Sequence, residues 1–335
     1  MSLRGLARGL EALGHDVEFR PLGFRSRFHT LDRWLYNLGV AADPPRADVV
    51  LGVDLDGFLW ARRRRGGARA YVVTLKGIIA DELRNERGLV RVLLSIQARW
   101  ERRNTERADR VTVASRYSAA IAEALYGVPR ERIALVPESF DLAGWRRRFA
   151  AAASGGAATR PTVLAVARLY PRKRVEDLLE AAALLRRRIA RVQIRIVGDG
   201  PEAARLHALH DRLALGDTAV LLGHVGRDAL ALEYSRAHCF CLPTVQEGFG
   251  LVFAEAMAAG LPVVACRAAA VPEVVRDGET GLLVPPRTPV ALAGALERML
   301  ADAGLRKEMG MAGRTRVEEF DLVPVARRFL EALPA

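Results

Sequence analysis

Cysteine, lysine and aromatic residues are all scarce in this chain of 335 residues. The three cysteines, Cys239, Cys241 and Cys266, lie on or beside apolar runs that read as strands. A Cys-x-Cys on one strand face suits core packing, and a metal site there would lack nearby partners. This usage fits a reducing cytoplasm. No apolar run reaches the length of a membrane span. No N-terminal segment shows the basic, apolar and small-residue order of a signal peptide. Acidic residues are also in deficit, 39 against 51 Lys plus Arg, for a formal charge of +12. Aromatics are only 6% of the chain and no RNA- or DNA-binding module is recognisable, so charge is the sole argument for a nucleic-acid partner and none is expected.

What is present is a globular composition, 50% hydrophobic, at a length that suits two domains with their own cores. The only lysines are Lys76, Lys173 and Lys307, so the basicity is almost all arginine. Genomic base composition alone would explain an Arg-, Ala- and Leu-rich chain. The distribution says more: residues 1–155 hold 27 Lys/Arg against 18 Asp/Glu, and the remainder 24 against 21. The first half therefore carries the excess that would suit an anionic membrane surface or a lipid phosphate.

The most informative stretch is 243–281. Cys239 to Leu242 reads as a buried strand, and a loop closes with Gly248, Phe249 and Gly250. Leu251 to Ala259 reads as a helix stopped by Gly260 and Pro262, and Val263 to Ala265 as the next strand. A strand–Gly loop–helix unit aims free backbone N–H groups at an anion. Glu247 sits in the loop and Glu255 past the first turn of a mostly apolar helix. A buried carboxylate needs a partner, and a ribose diol is one; Glu247 is placed to accept from sugar hydroxyls. Two acids at this spacing alone read more simply as a helix start and an arginine partner.

The whole stretch resembles the donor-site signature of glycosyltransferase family 4, retaining enzymes of the two-domain GT-B fold. It stands here as Glu247, Gly248, Phe249, Gly250, Leu251, then Glu255-Ala256-Met257-Ala258, Gly260 and Pro262-Val263-Val264-Ala265. The second part is Pro272-Glu273-Val274-Val275, Asp277-Gly278 and Gly281-Leu282-Leu283-Val284. So long a match at fixed spacing is a strong signal. Ala269 and Ala270 replace the family's Gly pair, which adds a methyl where backbone approaches the donor. Arg168 and Lys173 match the family's G-R-L-x-P-x-K-G, whose two cations neutralise the donor diphosphate, while Arg174 replaces its last Gly. Gly198-Asp199-Gly200-Pro201 resembles the motif that borders the nucleotide, although alone it is a common turn.

The first half carries the resemblance more weakly. Ser2 to Leu13 reads as a helix and His15 to Arg20 as a strand, without the strand and Gly-rich turn that the family places first. The expectation is a chain that binds nucleoside diphosphate but transfers sugar poorly until an upstream strand is restored. Strands are expected at Asp48 to Val53, Ala70 to Leu75, Arg110 to Ala114 and Ile133 to Val136. Helices are expected at Asp56 to Arg65, Ile78 to Arg84, Leu89 to Arg107 and Tyr117 to Tyr126. Asp54-Leu55-Asp56 is a D-x-D, a metal motif in another glycosyltransferase fold, but Asp56 reads more simply as an N-cap. Leu89, Leu93, Ile96 and Trp100 share a helix face best explained by packing on the sheet, with a membrane-surface helix as the alternative. Phe24 to Tyr36 is basic and aromatic, suiting a mobile acceptor-side loop. Lys76 follows a strand where the family often has His, which suits a phosphate or the acceptor; a solvated lysine is the plain alternative. Val136-Pro137-Glu138-Ser139 resembles the family's V-P-N-G with Glu138 and Ser139 as departures. His224 reads as structural, and residues 141–161 as a linker around Ser154-Gly155-Gly156.

The resemblance implies an α/β protein of GT-B class, two Rossmann-like domains with parallel sheets facing across a cleft. An acceptor-side domain over 1–155, a nucleotide-sugar domain over 156–320 and a returning helix over 321–335 are expected. It implies transfer of a sugar from a nucleotide diphosphate sugar to a hydroxyl acceptor, with no cofactor and no metal. Glu247, Arg168 and Lys173 would serve catalysis. Glu255, Gly248, Phe249, Gly250, Leu251, Val252, Gly198 and Asp199 would bind the donor, and Lys76 would face the acceptor. A cytoplasmic protein, peripheral on the inner membrane face, is expected. A non-catalytic sugar-nucleotide binder is the competing reading.

Overall fold

The computed structural model describes residues 2–23, 26, 29–64, 70–85, 88–152 and 158–334. The chain divides into two units, Met1–Glu138 with Val323–Ala335, and Ser139–Leu322.

The first unit runs α1 (Ser2–Glu11), α2 (His29–Ala42), β1 (Val49–Val53), α3 (Phe58–Arg63), β2 (Ala70–Leu75), α4 (Ile79–Glu82), α5 (Gly88–Arg107), β3 (Arg110–Val113), α6 (Arg116–Tyr126) and β4 (Ile133–Leu135). The strands pair in parallel in sequence order, with Val49 opposite Ala70 and Val72 opposite Arg110. Tyr71, Val73, Val111 and Val113 point one way into a core with Ala119, Ala122 and Tyr126 of α6. Val72 points the other way, toward Leu6 of α1 and Val325, Ala326 and Phe329 near the C-terminus. That alternation is the period-2 consequence of a strand covered on both faces.

The second unit contains α7 (Leu142–Ala152), β5 (Thr162–Val166), α8 (Val175–Leu185), β6 (Gln193–Val197), α9 (Ala203–Arg212), β7 (Ala219–Gly223), α10 (Arg227–Arg236), β8 (Cys239–Leu242), α11 (Leu251–Ala259), β9 (Val263–Cys266), α12 (Val271–Val274), β10 (Gly281–Val284), α13 (Pro289–Ala301) and α14 (Ala303–Arg316). The final helix, α15 (Leu322–Glu331), belongs from Val323 on to the first unit. The six strands are all parallel in the order β10-β9-β8-β5-β6-β7. Cys239 and Cys241 are fully buried in this core and Cys266 nearly so. Burial pushes the Cys239 thiol up to about 12 and that of Cys266 to about 11, which keeps both protonated and inert.

Several expectations are corrected. His15 to Arg20 forms no strand: it joins neither sheet among the described residues, and the bonds at its ends run elsewhere, from the His15 N–H to Leu10 O at 3.1 Å and from Tyr36 Oη to Arg20 O at 2.7 Å. Asp56 does not cap α3. Gly57 occupies that position with φ 102°, and Asp56 instead pairs with Arg33 at 3.1 Å. The division falls after Glu138, not near 155, because α7 packs in the second unit. Its Trp145 stacks edge-on to Tyr234 of α10 at 5.8 Å. Ser154-Gly155-Gly156 of the expected linker lie outside the described residues, as do Phe24, Arg25, Arg27 and Phe28 of the expected acceptor-side loop. The rest of that segment is mostly the start of α2. The apolar face of α5 does not pack on the sheet over its first turns, where Leu89 and Leu93 are exposed.

Candidate functional site

In the second sheet the chain leaves β5 toward β6 and β7 on one side, and later returns to build β8, β9 and β10 on the other. The strand order therefore reverses between β5 and β8. Loops leaving the carboxyl ends of two such strands part in opposite directions and leave room for a ligand. Arg168 and Lys173 follow β5, and Glu247 follows β8, so three expected site residues fall at this one switch point.

The two loops are laced together. Val245 N–H donates to Arg172 O at 3.0 Å, and Thr244 Oγ1 to the same oxygen at 3.2 Å. Lys173, in the tight turn Pro171–Lys173, pairs directly with Glu247 Oε1, and each side chain is only 12% exposed. Arg168 is exposed, its guanidinium 5.5 Å from the Tyr170 ring centre, with that of Arg172 at 4.9 Å. The switch point thus carries a cationic rim beside an enclosed Lys–Glu pair.

Arg174, where the resembling family has Gly, takes φ 52°. A non-glycine residue there is strained by contact of its Cβ with backbone. Its guanidinium compensates by binding Asp177 through Nε at 3.0 Å and Nη2 at 2.5 Å, with Glu176 at 2.7 Å. Ala269 likewise stands at φ 47°, at one of the two positions where the family carries Gly. The next residue, Ala270, donates its N–H to Glu247 O at 3.2 Å, so the two halves of the long motif meet at the site.

Gly250 caps α11 with φ 90° and no N-cap side chain accepts from the first turn, which begins with Leu251 and Val252 just after the loop of Glu247 and Gly248. Phe249 turns inward, 5% exposed, with its ring edge-on to Phe320 at 4.9 Å; it anchors the loop by packing. One turn into the helix, Glu255 Oε2 accepts from Tyr234 Oη at 2.8 Å. Burial pushes its carboxyl up to about 7, against the Tyr234 hydrogen bond and the charge of Arg227. Gly198 and Asp199 follow β6. A Cβ on Gly198 would stand 1.7 Å from Ala167 O, and Asp199 O accepts the Leu169 N–H at 3.0 Å. This loop thereby braces the backbone on either side of Arg168. His224, expected to be structural, is exposed.

In the first unit Lys76 directly follows β2. Its Nζ pairs with Glu138 Oε2 at 2.8 Å, and its N–H donates to Asp54 Oδ1 at 2.8 Å. The two departures from the family pattern, Lys76 and Glu138, are therefore one ion pair. Burial chiefly pushes Asp54 up to about 6. Among the described residues no group of three or more His, Cys, Asp or Glu is placed to hold a metal ion. Sequence reading missed Tyr234, which sits on another helix 21 residues before its partner Glu255 and carries no local signal. It also missed Asp54 as a partner of Lys76, although both lie at adjacent strand ends.

Residues 147–316 match the family model of glycosyl transferases group 1, and residues 19–138 that of the glycosyl transferase 4-like domain. The chain belongs to the glycosyl transferases group 1 family. A GDP-mannose-dependent alpha-(1-6)-phosphatidylinositol monomannoside mannosyltransferase of Mycolicibacterium smegmatis is 33% identical over 75% of this chain and 66% of its own length. A D-inositol 3-phosphate glycosyltransferase of Streptomyces bingchenggensis is 34% identical over 64% of this chain and 50% of its own. The chain thus spans only part of these curated relatives. Among solved structures, sucrose-phosphate synthase from Thermosynechococcus elongatus superposes with a TM-score of 0.78 at 25% identity, over 98% of this chain and 91% of that one. Anabaena HepE in complex with UDP gives 0.74 at 20% identity, over 98% and 94%. The two parallel-sheet α/β units of this group 1 chain are thus those of the GT-B class.

Proposed function

We propose that this chain transfers a hexosyl group from a nucleotide diphosphate sugar, of UDP or GDP type, to an acceptor hydroxyl in glycoconjugate synthesis. The observation that carries this reading is the Lys173–Glu247 pair at the β5/β8 switch point, under the uncapped N-terminus of α11. A diphosphate entering there meets Lys173, the Arg168 guanidinium and the amides of Leu251 and Val252, each favouring the charge that grows on a departing phosphate. Once Lys173 turns to the diphosphate, Glu247 is left to accept from sugar hydroxyls, and Glu255 from the ribose diol. The resemblance implies retention of anomeric configuration, a leaving phosphate oxygen that takes the acceptor proton, and no metal. Lys76 and Glu138 would face the acceptor. The basic first half supports work at an anionic membrane face, and the three free cysteines fit a reducing cytoplasm.

Replacing Arg168 and Lys173 together with Ala should weaken nucleoside diphosphate binding by about 2–4 kcal/mol, from charged hydrogen bonds worth about 1.5–3 each. Calorimetric affinities for UDP and GDP that do not change would remove the assignment. Thermal shifts across UDP-, GDP- and ADP-sugars then select the donor for a turnover assay.

A further inference from the structure

Tyr234 of α10 is fully enclosed, and aromatic rings close around it. Trp145 and Phe149 of α7 stand edge-on to its ring at 5.8 and 6.0 Å, and Phe240 of β8 stacks on it at 6.0 Å. Each wall is itself backed. Phe140 stacks on Trp145 at 6.4 Å, and Phe253 of α11 meets Phe240 edge-on at 5.9 Å. A ring packed on this many sides has no second place to go.

Such a cage would suit Phe as well as Tyr. Phenylalanine fills it with no polar atom to satisfy, whereas a buried hydroxyl without an acceptor costs stability. The Tyr234 hydroxyl reaches two acceptors, both on α11: Glu255 Oε2 at 2.8 Å and, more distantly, Val252 O at 3.5 Å. A carbonyl in the first turn of a helix already accepts within that helix. The carboxylate is therefore the partner that the hydroxyl serves.

Glu255 is the opposite kind of residue. Its side chain turns about several bonds, and it is only half-buried. Among the described residues Tyr234 is its one hydrogen-bond partner, and Oε1 has none. Arg227, seven residues before Tyr234 on α10, contributes charge and no hydrogen bond. The direction of the carboxylate thus depends on Tyr234. A diol donates to both oxygens of one carboxylate only when that carboxylate is turned to meet it. A carboxylate held in advance by one lone pair of Oε2 keeps Oε1 and the other Oε2 lone pair for a ligand, and a free one must be ordered at binding.

We propose that Tyr234 is a positioning residue for the donor: caged by Trp145, Phe149 and Phe240, its hydroxyl orients the Glu255 carboxylate to accept from the 2′- and 3′-hydroxyls of a ribonucleoside diphosphate. This rests on the ribose reading of Glu255 given under the proposed function, and the test separates the two. The tighter of UDP and GDP is titrated calorimetrically beside its own 2′,3′-dideoxy form. The proteins are the wild type, Tyr234→Phe, Glu255→Gln and the double variant. The wild type should prefer the ribose form roughly tenfold or more. Tyr234→Phe keeps the caged ring. It should weaken the ribose form roughly three- to tenfold, through the cost of ordering a freed side chain, and leave the dideoxy form within about twofold. The double variant should bind the ribose form no more weakly than Glu255→Gln alone, because Tyr234 acts only through Glu255. Phe149→Leu, which thins the cage and keeps the hydroxyl, should show the same selective loss in smaller measure. A role confined to packing gives equal losses for both nucleotides, or losses that add in the double variant. Either result overturns the proposal, as does undiminished ribose preference in Tyr234→Phe and Phe149→Leu. In each of those cases the loss in Glu255→Gln leaves the ribose reading standing. A wild type that binds both nucleotide forms equally removes the ribose reading, and this proposal with it.

Discussion

Glu255 is held in a state that costs stability and suits a ligand. Its folded value of about 7 lies above the ordinary 4.5, with burial as the leading cause. The folded chain therefore holds this proton more tightly than the unfolded one. Its contribution to stability is fully present below about pH 4.5 and is lost as pH rises through about 7. Glu255→Gln keeps an acceptor for the Tyr234 hydroxyl but never takes the charge. It should raise the unfolding free energy at pH 8 by about 1–3 kcal/mol and change it little at pH 5. Binding of nucleoside diphosphate should fall roughly tenfold in the same variant, because a diol donates better to a carboxylate than to an amide. In the wild type that affinity should decline as pH drops below about 7. Urea melts at the two pH values with calorimetric titrations decide it: a variant less stable at pH 8, or one that binds normally, contradicts the ribose assignment.

At the scale of elements, α8 begins on a residue that opposes its own backbone. Arg174 at φ 52° stands where the family has Gly, and its fork onto Asp177 offsets the strain. Asp177 is almost fully buried, so Arg174→Gly relieves the dihedral and strands a carboxylate. The second effect should prevail, with a net loss of about 1–2 kcal/mol at pH 7. Adding Asp177→Asn should recover most of it; a Gly variant more stable than wild type would show that the ion pair contributes nothing. Elements with continuous apolar runs were legible from sequence, as β8 and α11 show, because a buried strand or helix needs no partner to declare itself. His15 to Arg20 alternates correctly and yet is no strand, since a ladder depends on a neighbour that alternation does not reveal. The stripe of α5 was legible and its cover was not. Period fixes which residues share a face, but not how far that face is covered: Trp100 stacks on Phe58 at 5.3 Å, while Leu89 and Leu93 in the first turns stay exposed. Lys173 and Glu247 were readable because each lies in a local motif. Their mutual pairing, and the bond from Tyr234 to Glu255, arise only when β5, β8 and α10 are assembled.

The two units differ in how the chain builds them. The second is one continuous stretch, Ser139–Leu322, whereas the first needs Val323–Ala335 to return to it. Val325, Ala326 and Phe329 are buried there against Leu6, Val72 and Val136. At about 1.5–3 kcal/mol for each large side chain removed from water, ending the chain at Leu322 should cost the first unit several kcal/mol. None of the residues at the β5/β8 switch point belongs to that cluster. Residues 139–322 expressed alone should therefore fold and keep the nucleoside diphosphate affinity of the whole chain. Calorimetry of the whole chain should resolve two unfolding transitions, of which UDP or GDP raises only one. Removing 323–335 should lower only the other. If the chain melts in a single transition that ligand and truncation both move, or if residues 139–322 fail to bind nucleotide, the donor site depends on both units. The assignment of binding to the second alone would then be wrong.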